Sequence, residues 1–232
     1  MGSTYLYELS ITNTMIDTVI RITPFMSPSK PPDWFKNKFE LVKVCLASFI
    51  AAGESRKVFL LDDCPKEYAT YLSKFGDVHA GTFGKKVSLY KAYEVAQKLF
   101  KGNILFLEDD YLWRPNTLAQ LERGLETFGF VSPYDHVGLY GDGIAKTYIV
   151  DNMTWRLCND NTHTFAVKGK IFQENLEDFY YGLHDWQMYH KLAEHGIKGY
   201  TPMYSFATHL VDGLLAYNTN WYDIANWYKG RI

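Results

Sequence analysis

At 232 residues, with 47% hydrophobic and 22% charged side chains, the chain can bury a sizeable core, which excludes a disordered or low-complexity protein. A formal net charge of −2 excludes a broad basic face for nucleic acid, although a local basic patch remains open. Three dispersed cysteines (Cys45, Cys64, Cys158) with no CxxC pair, no apolar run of about 18 residues and no basic-then-apolar leader predict free thiols in a cytoplasmic protein.

Residues 1–16 are polar and carry no strong periodicity. Residues 18–23 are rich in β-branched side chains and read as a strand that stops at Pro24, followed by a Pro-rich loop to Asp33. Phe35, Phe39, Val42, Leu46 and Phe49 recur at helical spacing, and Gly53 marks the stop. Residues 57–61 form a short apolar strand that runs into Asp62 and Asp63, and Pro65 opens a helix closing at Gly76. A further strand is expected at 77–82, and Leu89, Tyr93, Ala96 and Phe100 mark an amphipathic helix. After the turn at Lys101 and Gly102, the apolar strand 103–107 delivers Glu108, Asp109 and Asp110. Asn116 is expected to cap a helix with Leu118, Leu121, Leu125 and Phe128 on its inner face.

Alternation of strand and helix up to this point predicts an α/β fold, a mostly parallel Rossmann-like sheet with helices on both faces. Beyond Gly129 the pattern loosens. Phe130 and Val131 form a strand, 134–151 reads as loop, strands are expected at 154–157 and 164–167, a helix at 185–194 and an extended run at 200–210. The tail carries Trp221, Tyr222, Trp227 and Tyr228 without an assigned element.

Ligands of open α/β sheets bind beyond the carboxyl ends of the strands, and both acidic groups, Asp62-Asp63 and Glu108-Asp109-Asp110, fall at such ends. Three adjacent carboxylates there repel one another and are costly to desolvate. A divalent cation with a preference for hard oxygen ligands, Mn²⁺ or Mg²⁺, relieves that penalty and in turn binds a diphosphate. The bland alternative is a solvated acidic turn.

The segment 58–63 (VFLLDD) resembles the second strand of GT-A glycosyltransferases of the family-2-like type, and 102–110 (GNILFLEDD) resembles their metal-binding DxD strand. His184-Asp185-Trp186 resembles their EDW segment, with His184 in place of the usual acid, and Ala207-Thr208-His209 resembles the late histidine of the metal shell. The resemblance spans about residues 17–212 in order and spacing, and it implies a single GT-A domain over 1–232. Residues 17–113 would bind the nucleotide-diphospho-sugar and 114–232 the acceptor.

On that resemblance Asp110 and His209 would hold the metal, and Asp62, Asp63, Lys91, Glu108, Asp109 and Arg156 would bind the nucleotide-sugar. Asp185 would act as base in an inverting transfer to an acceptor hydroxyl. The acceptor would be a glycan or lipid-linked molecule, with a modified nucleic-acid base as a lesser alternative. Several roles have structural competitors. Asp62 or Asp63 could cap the helix at Pro65, Glu108 could be structural, Asp185 could be an N-cap, His209 a hydrogen-bonded core histidine, and Trp155 and Trp186 ordinary core aromatics rather than sugar platforms.

Two other functions share part of this pattern. A sugar-1-phosphate nucleotidyltransferase also uses a doubly wound sheet and Mg²⁺, but its Gly-rich N-terminal signature is missing, since residues 1–30 contain only Gly2. A non-catalytic nucleotide-sugar-binding module would keep the fold without the turnover.

Overall fold

The computed structural model describes residues 16–27, 32–140, 146–181 and 184–231. The readings of residues 1–15, of the Pro-rich stretch 28–31 and of 141–145 lie outside them.

In chain order the elements are β1 (Asp17–Ile22), α1 (Lys38–Ala52), β2 (Arg56–Asp62), α2 (Lys66–Leu72), β3 (Asp77–Gly81), α3 (Lys85–Leu99), β4 (Ile104–Glu108) and β5 (Tyr111–Trp113). They continue with α4 (Leu118–Phe128), β6 (Phe130–Val131), β7 (Thr147–Val150), β8 (Met153–Cys158), β9 (Phe165–Val167), α5 (Gly169–Glu174) and α6 (Leu176–Phe179). The last are α7 (Asp185–Glu194), β10 (Gly199–Pro202), β11 (Ala207–His209) and α8 (Trp221–Lys229).

A nine-stranded sheet in the order β3-β2-β1-β4-β9-β6-β10-β8-β7 forms the centre. The pairs β3-β2, β2-β1, β1-β4 and β6-β10 are parallel, while β9 and β8 run against their neighbours, so most strands point one way. The expected mostly parallel sheet with helices on both faces is thus present. A separate two-stranded antiparallel sheet joins β5 to β11.

Side-chain alternation along the strands feeds two cores. Ile20, Ile22, Leu105 and Leu107 pack with Leu41, Val42, Cys45, Leu46 and Phe49 of α1 on one face. Val19, Val58, Leu60, Ile104 and Phe106 pack with Leu89, Ala92, Tyr93 and Ala96 of α3 on the other. Each Val, Leu, Ile or Phe side chain among them, fully buried, contributes about 1.5–3 kcal/mol.

Most of the expected elements stand within a residue or two. The extended run expected over 200–210 is two strands of different sheets, β10 and β11, the short helices α5 and α6 were not foreseen, and four further details differ. The helix after Asn37 starts at Lys38, capped by the Asn37 side chain accepting from Glu40 N at 2.9 Å, so Phe35 lies before it. Thr117, not Asn116, is the N-cap of α4, and Asn116 takes a left-handed φ of 58°. Residues 147–150, read as loop, form β7, and the unassigned aromatic tail contains α8. α8 buries Trp221, Ala225 and Tyr228 against the α1 side of the sheet.

Candidate active site

The strand order reverses at β1, with β2 on one side and β4 on the other, which is the switch point where open α/β sheets leave a crevice. A cleft of about 650 Å³ opens there, lined by the residues that follow β1, β2 and β4 and by the start of α3. Asp62, Asp63, Glu108, Asp109, Asp110, Asp185 and His209 all line it. These seven expected carboxylate and imidazole groups, from four separate stretches of sequence, therefore meet in one place.

Each member of the acidic triplet has a cationic or imidazole partner from a different element. Arg21, in register with Glu108 across the parallel β1-β4 pair, forms an ion pair with it, and also reaches the Lys85 carbonyl at 3.3 Å. Lys38, the first residue of α1, donates to Asp109 Oδ1 at 2.7 Å, and Thr23 N donates to Asp109 Oδ2 at 2.8 Å. His209 Nε2 lies 3.2 Å from Asp110 Oδ2. The repulsion that a cation was expected to relieve is thus already met for Glu108 and Asp109 by side chains of the protein.

His209 reaches Asp110 because β11 pairs with β5 in the register His209 to Tyr111, the residue after Asp110. Its ring stacks on Tyr111 at 5.0 Å with planes 3° apart, and Tyr111 donates to Thr162 Oγ1. Burial disfavours charge on His209, but Asp110 outweighs it and raises the imidazole pKa. Burial would likewise raise Asp110, yet His209 and Lys38 bring its carboxyl down to about 2. Asp110 Oδ1 is buried and has no hydrogen-bond partner among the described residues.

That orphaned oxygen is the test of the expected metal. No group of three or more His, Cys, Asp or Glu side chains forms a cage among the described residues. Asp110 and His209, which here meet each other at 3.2 Å, would suit only an open site in which phosphate oxygens and water complete the shell, the way Mg²⁺ and similar ions are held with few protein ligands. Asp109 has both oxygens committed and does not fit as a ligand.

At the second acidic strand end, Asp62 Oδ1 accepts from Phe83 N at 2.6 Å and Gly84 N at 3.0 Å, so this carboxylate pins the β3-α3 turn rather than capping α2. Asp63 adopts a left-handed φ of 56° and accepts from Thr82 Oγ1 at 3.4 Å. The first turn of α3 brings Gly84, Lys85 and Ser88 to the cleft. Lys91 lies farther along the same helix, half exposed, with its ammonium 2.6 Å from Glu94 Oε2, and does not line the cleft.

Asp185 is the first residue of α7, and His184 is its N-cap. Asp185 therefore stands one position inside the helix, and its Oδ1 accepts from Trp186 N at 3.0 Å. Trp186 is 44% exposed and stacks at 15° to His184, whereas Trp155 is fully buried. Arg156 lies outside the cleft. It is buried against Asp135 at 2.7 Å, donates to the Leu139 and His136 carbonyls, and stacks on Tyr140 at 4.1 Å, so it braces the 135–140 segment instead of meeting a diphosphate.

Arg21, Lys38, Lys85, Ser88, Thr162, His163 and His184 also line the cleft and were not foreseen. Arg21 left a signal, a lone cation within the β-branched and apolar run 18–22. Lys38 left none, because nothing in its neighbourhood of the sequence separates it from Lys36 or Lys43.

No protein-family model matches the chain, and no curated protein sequence is significantly similar to it. Solved structures do resemble it. The inositol-1-phosphate CTP transferase from T. maritima superposes with a TM-score of 0.53 at 12% identity, covering 94% of this chain and 98% of that one. A nucleotidyl transferase from Methanothermobacter thermautotroptrophicus gives 0.53 at 11% identity over 81% and 86%. CMP:2-keto-3-deoxy-manno-octonic acid synthetase, complexed with CTP, gives 0.50 at 14% over 81% and 88%. At these identities the likeness is one of fold: the chain has the mixed α/β architecture of these nucleotide-handling transferases.

Proposed function

We propose that the protein is a glycosyltransferase that moves a sugar from a nucleotide-diphospho-sugar to an acceptor hydroxyl, with inversion at the anomeric carbon. The observation that carries this reading is the meeting of Asp110, His209 and Asp185 in one cleft at the switch point of the sheet. Asp110 and His209 would hold a divalent cation, which supplies neutralisation of charge on the departing diphosphate. Asp185 would accept the proton of the attacking hydroxyl, and Lys85 with the first turn of α3 would face the phosphates. Asp62 and Asp63 would border the nucleoside. Glu108 would keep Arg21 in position.

A second reading, a sugar-phosphate nucleotidyltransferase, draws its support from the named fold relatives. Charge argues for the first. A phosphate nucleophile is already anionic, needs no base, and would enter a cleft edged by the carboxylates Asp62, Asp63 and Asp185 beside a triphosphate. Arg21 and Lys38 are already paired with acids, which leaves Lys85 as the lysine or arginine of the cleft without an ion pair among the described residues.

The two readings differ in what leaves. Incubation with Mn²⁺ and a panel of nucleotide-sugars is expected to release a nucleoside diphosphate, in a reaction lost in Asp110→Ala. Release of pyrophosphate from a nucleoside triphosphate and a sugar phosphate would establish the second reading instead.

A further inference from the structure

The buried pair Lys38-Asp109 is expensive to keep. Both side chains are about 5–6% exposed, and taking two charges out of water offsets most of what their attraction returns. Lys38 is also the first residue of α1, where the helix dipole disfavours a positive charge. A well-packed apolar pair would stabilise the fold at least as well. What the ion pair provides is geometry.

Asp109 uses one oxygen on each end of the connection between β1 and α1: Oδ2 takes the amide of Thr23, just past β1, and Oδ1 takes the ammonium of Lys38. Thr23, Phe25, Met26 and Ser27 line the cleft. The same residue is covalently joined to Asp110, whose Oδ1 is buried without a hydrogen-bond partner among the described residues. One carboxylate therefore ties a wall of the cleft to its ligand residue.

We infer that Lys38 is a positioning residue, acting through Asp109 to fix the 23–27 wall and the orientation of Asp110, and that Asp109 itself is not a ligand of cation or donor. The inference rests on the proposed cation site, and its test separates the two. Coulomb's law alone says that removing a buried positive charge beside a cation site, and freeing a carboxylate there, tightens cation binding. Positioning gives the opposite sign.

In Lys38→Met, Mn²⁺ binding followed by electron paramagnetic resonance is expected to weaken by about tenfold, as when an outer-shell partner of a ligand is removed. Amide hydrogen exchange at residues 23–27 is expected to rise well above that of the β2 and β4 amides. The double variant Lys38→Met/Asp109→Leu removes both charges and so keeps the fold. It also removes the acceptor of the Thr23 amide, so it should bind Mn²⁺ at least as weakly and exchange at 23–27 at least as fast as Lys38→Met. Tighter or unchanged Mn²⁺ binding in Lys38→Met, or unaltered exchange at 23–27 in either variant, would overturn the inference. If the unaltered protein binds no Mn²⁺, the cation site fails, and the exchange measurement alone still decides the clamp.

Discussion

Asp185 has the exposure, the cleft position and the helix-start location that a base at an acceptor hydroxyl requires, but a helix start is also where a carboxylate stabilises a dipole. The two roles differ in magnitude. Loss of the charge in Asp185→Asn should lower stability by only about 0.3–1 kcal/mol. Loss of a general base should lower kcat about 10²- to 10⁴-fold while donor binding stays unchanged. Steady-state kinetics and a melting curve on the same sample separate them, and a kcat within a few-fold of the parent would remove Asp185 from the mechanism. The acidic residues at both strand ends were legible because carboxylates rarely follow an apolar strand without a partner. Their partners were not. Arg21 meets Glu108 through strand register, Lys38 meets Asp109 through the packing of α1, and His209 meets Asp110 through a sheet of two three-residue strands, none of which leaves a local pattern. The basic residue expected on α3 was sought at Lys91, but α3 starts at Lys85, which puts its cleft-facing turn earlier.

At the scale of elements, α4 shows how a single small residue fixes a helix on the sheet. Gly124 lies at the buried face between Leu121 and Leu125, and a Cβ built there would come within 2.2 Å of the Trp155 ring of β8. Alanine would favour the isolated helix by about 1 kcal/mol. Overpacking against a fully buried indole costs about 1–3 kcal/mol, so the net effect of Gly124→Ala should be destabilising. Chemical denaturation is the measurement, and a gain in stability would mean that Trp155 moves freely. The first half of the fold was readable because β1 to α4 alternate two clear periodicities. The second half was not, since β7 carries an exposed Ile149 at 78% and its partner β8 supplies the burial, while α5 and α6 are too short to show a period. The aromatic tail hid α8 because its buried Trp221, Ala225 and Tyr228 are interleaved with exposed Tyr222 and Trp227.

For the molecule as a whole, the proposed reading would make cation and nucleotide depend on each other. Asp110 and His209 offer too few ligands to hold a cation firmly, and among the lysines and arginines of the cleft Lys85 is the one without an ion pair in the described residues, too little to hold a diphosphate alone. Either component by itself should then bind weakly, and the two together strongly, because each supplies what the other lacks. Linkage turns this into a melting experiment. Ligand at about 100 times its Kd stabilises by about 2.7 kcal/mol, which for a chain of this size is a rise of roughly 5–10 °C in Tm. Mn²⁺ with the matching nucleotide should give a shift of that order, larger than the sum of the shifts from Mn²⁺ and from nucleotide alone. Asp110→Ala should lose the excess and keep the small nucleotide-only shift, since Lys85 and α3 remain. Simple addition of the two shifts would mean that cation and phosphate occupy separate places, and the open site at Asp110 would then have no part in holding the donor. The identity of the nucleotide giving the largest excess also bears on the reaction. A nucleoside diphosphate fits the product of glycosyl transfer, while a preference for the triphosphate with Mn²⁺ would favour nucleotidyl transfer.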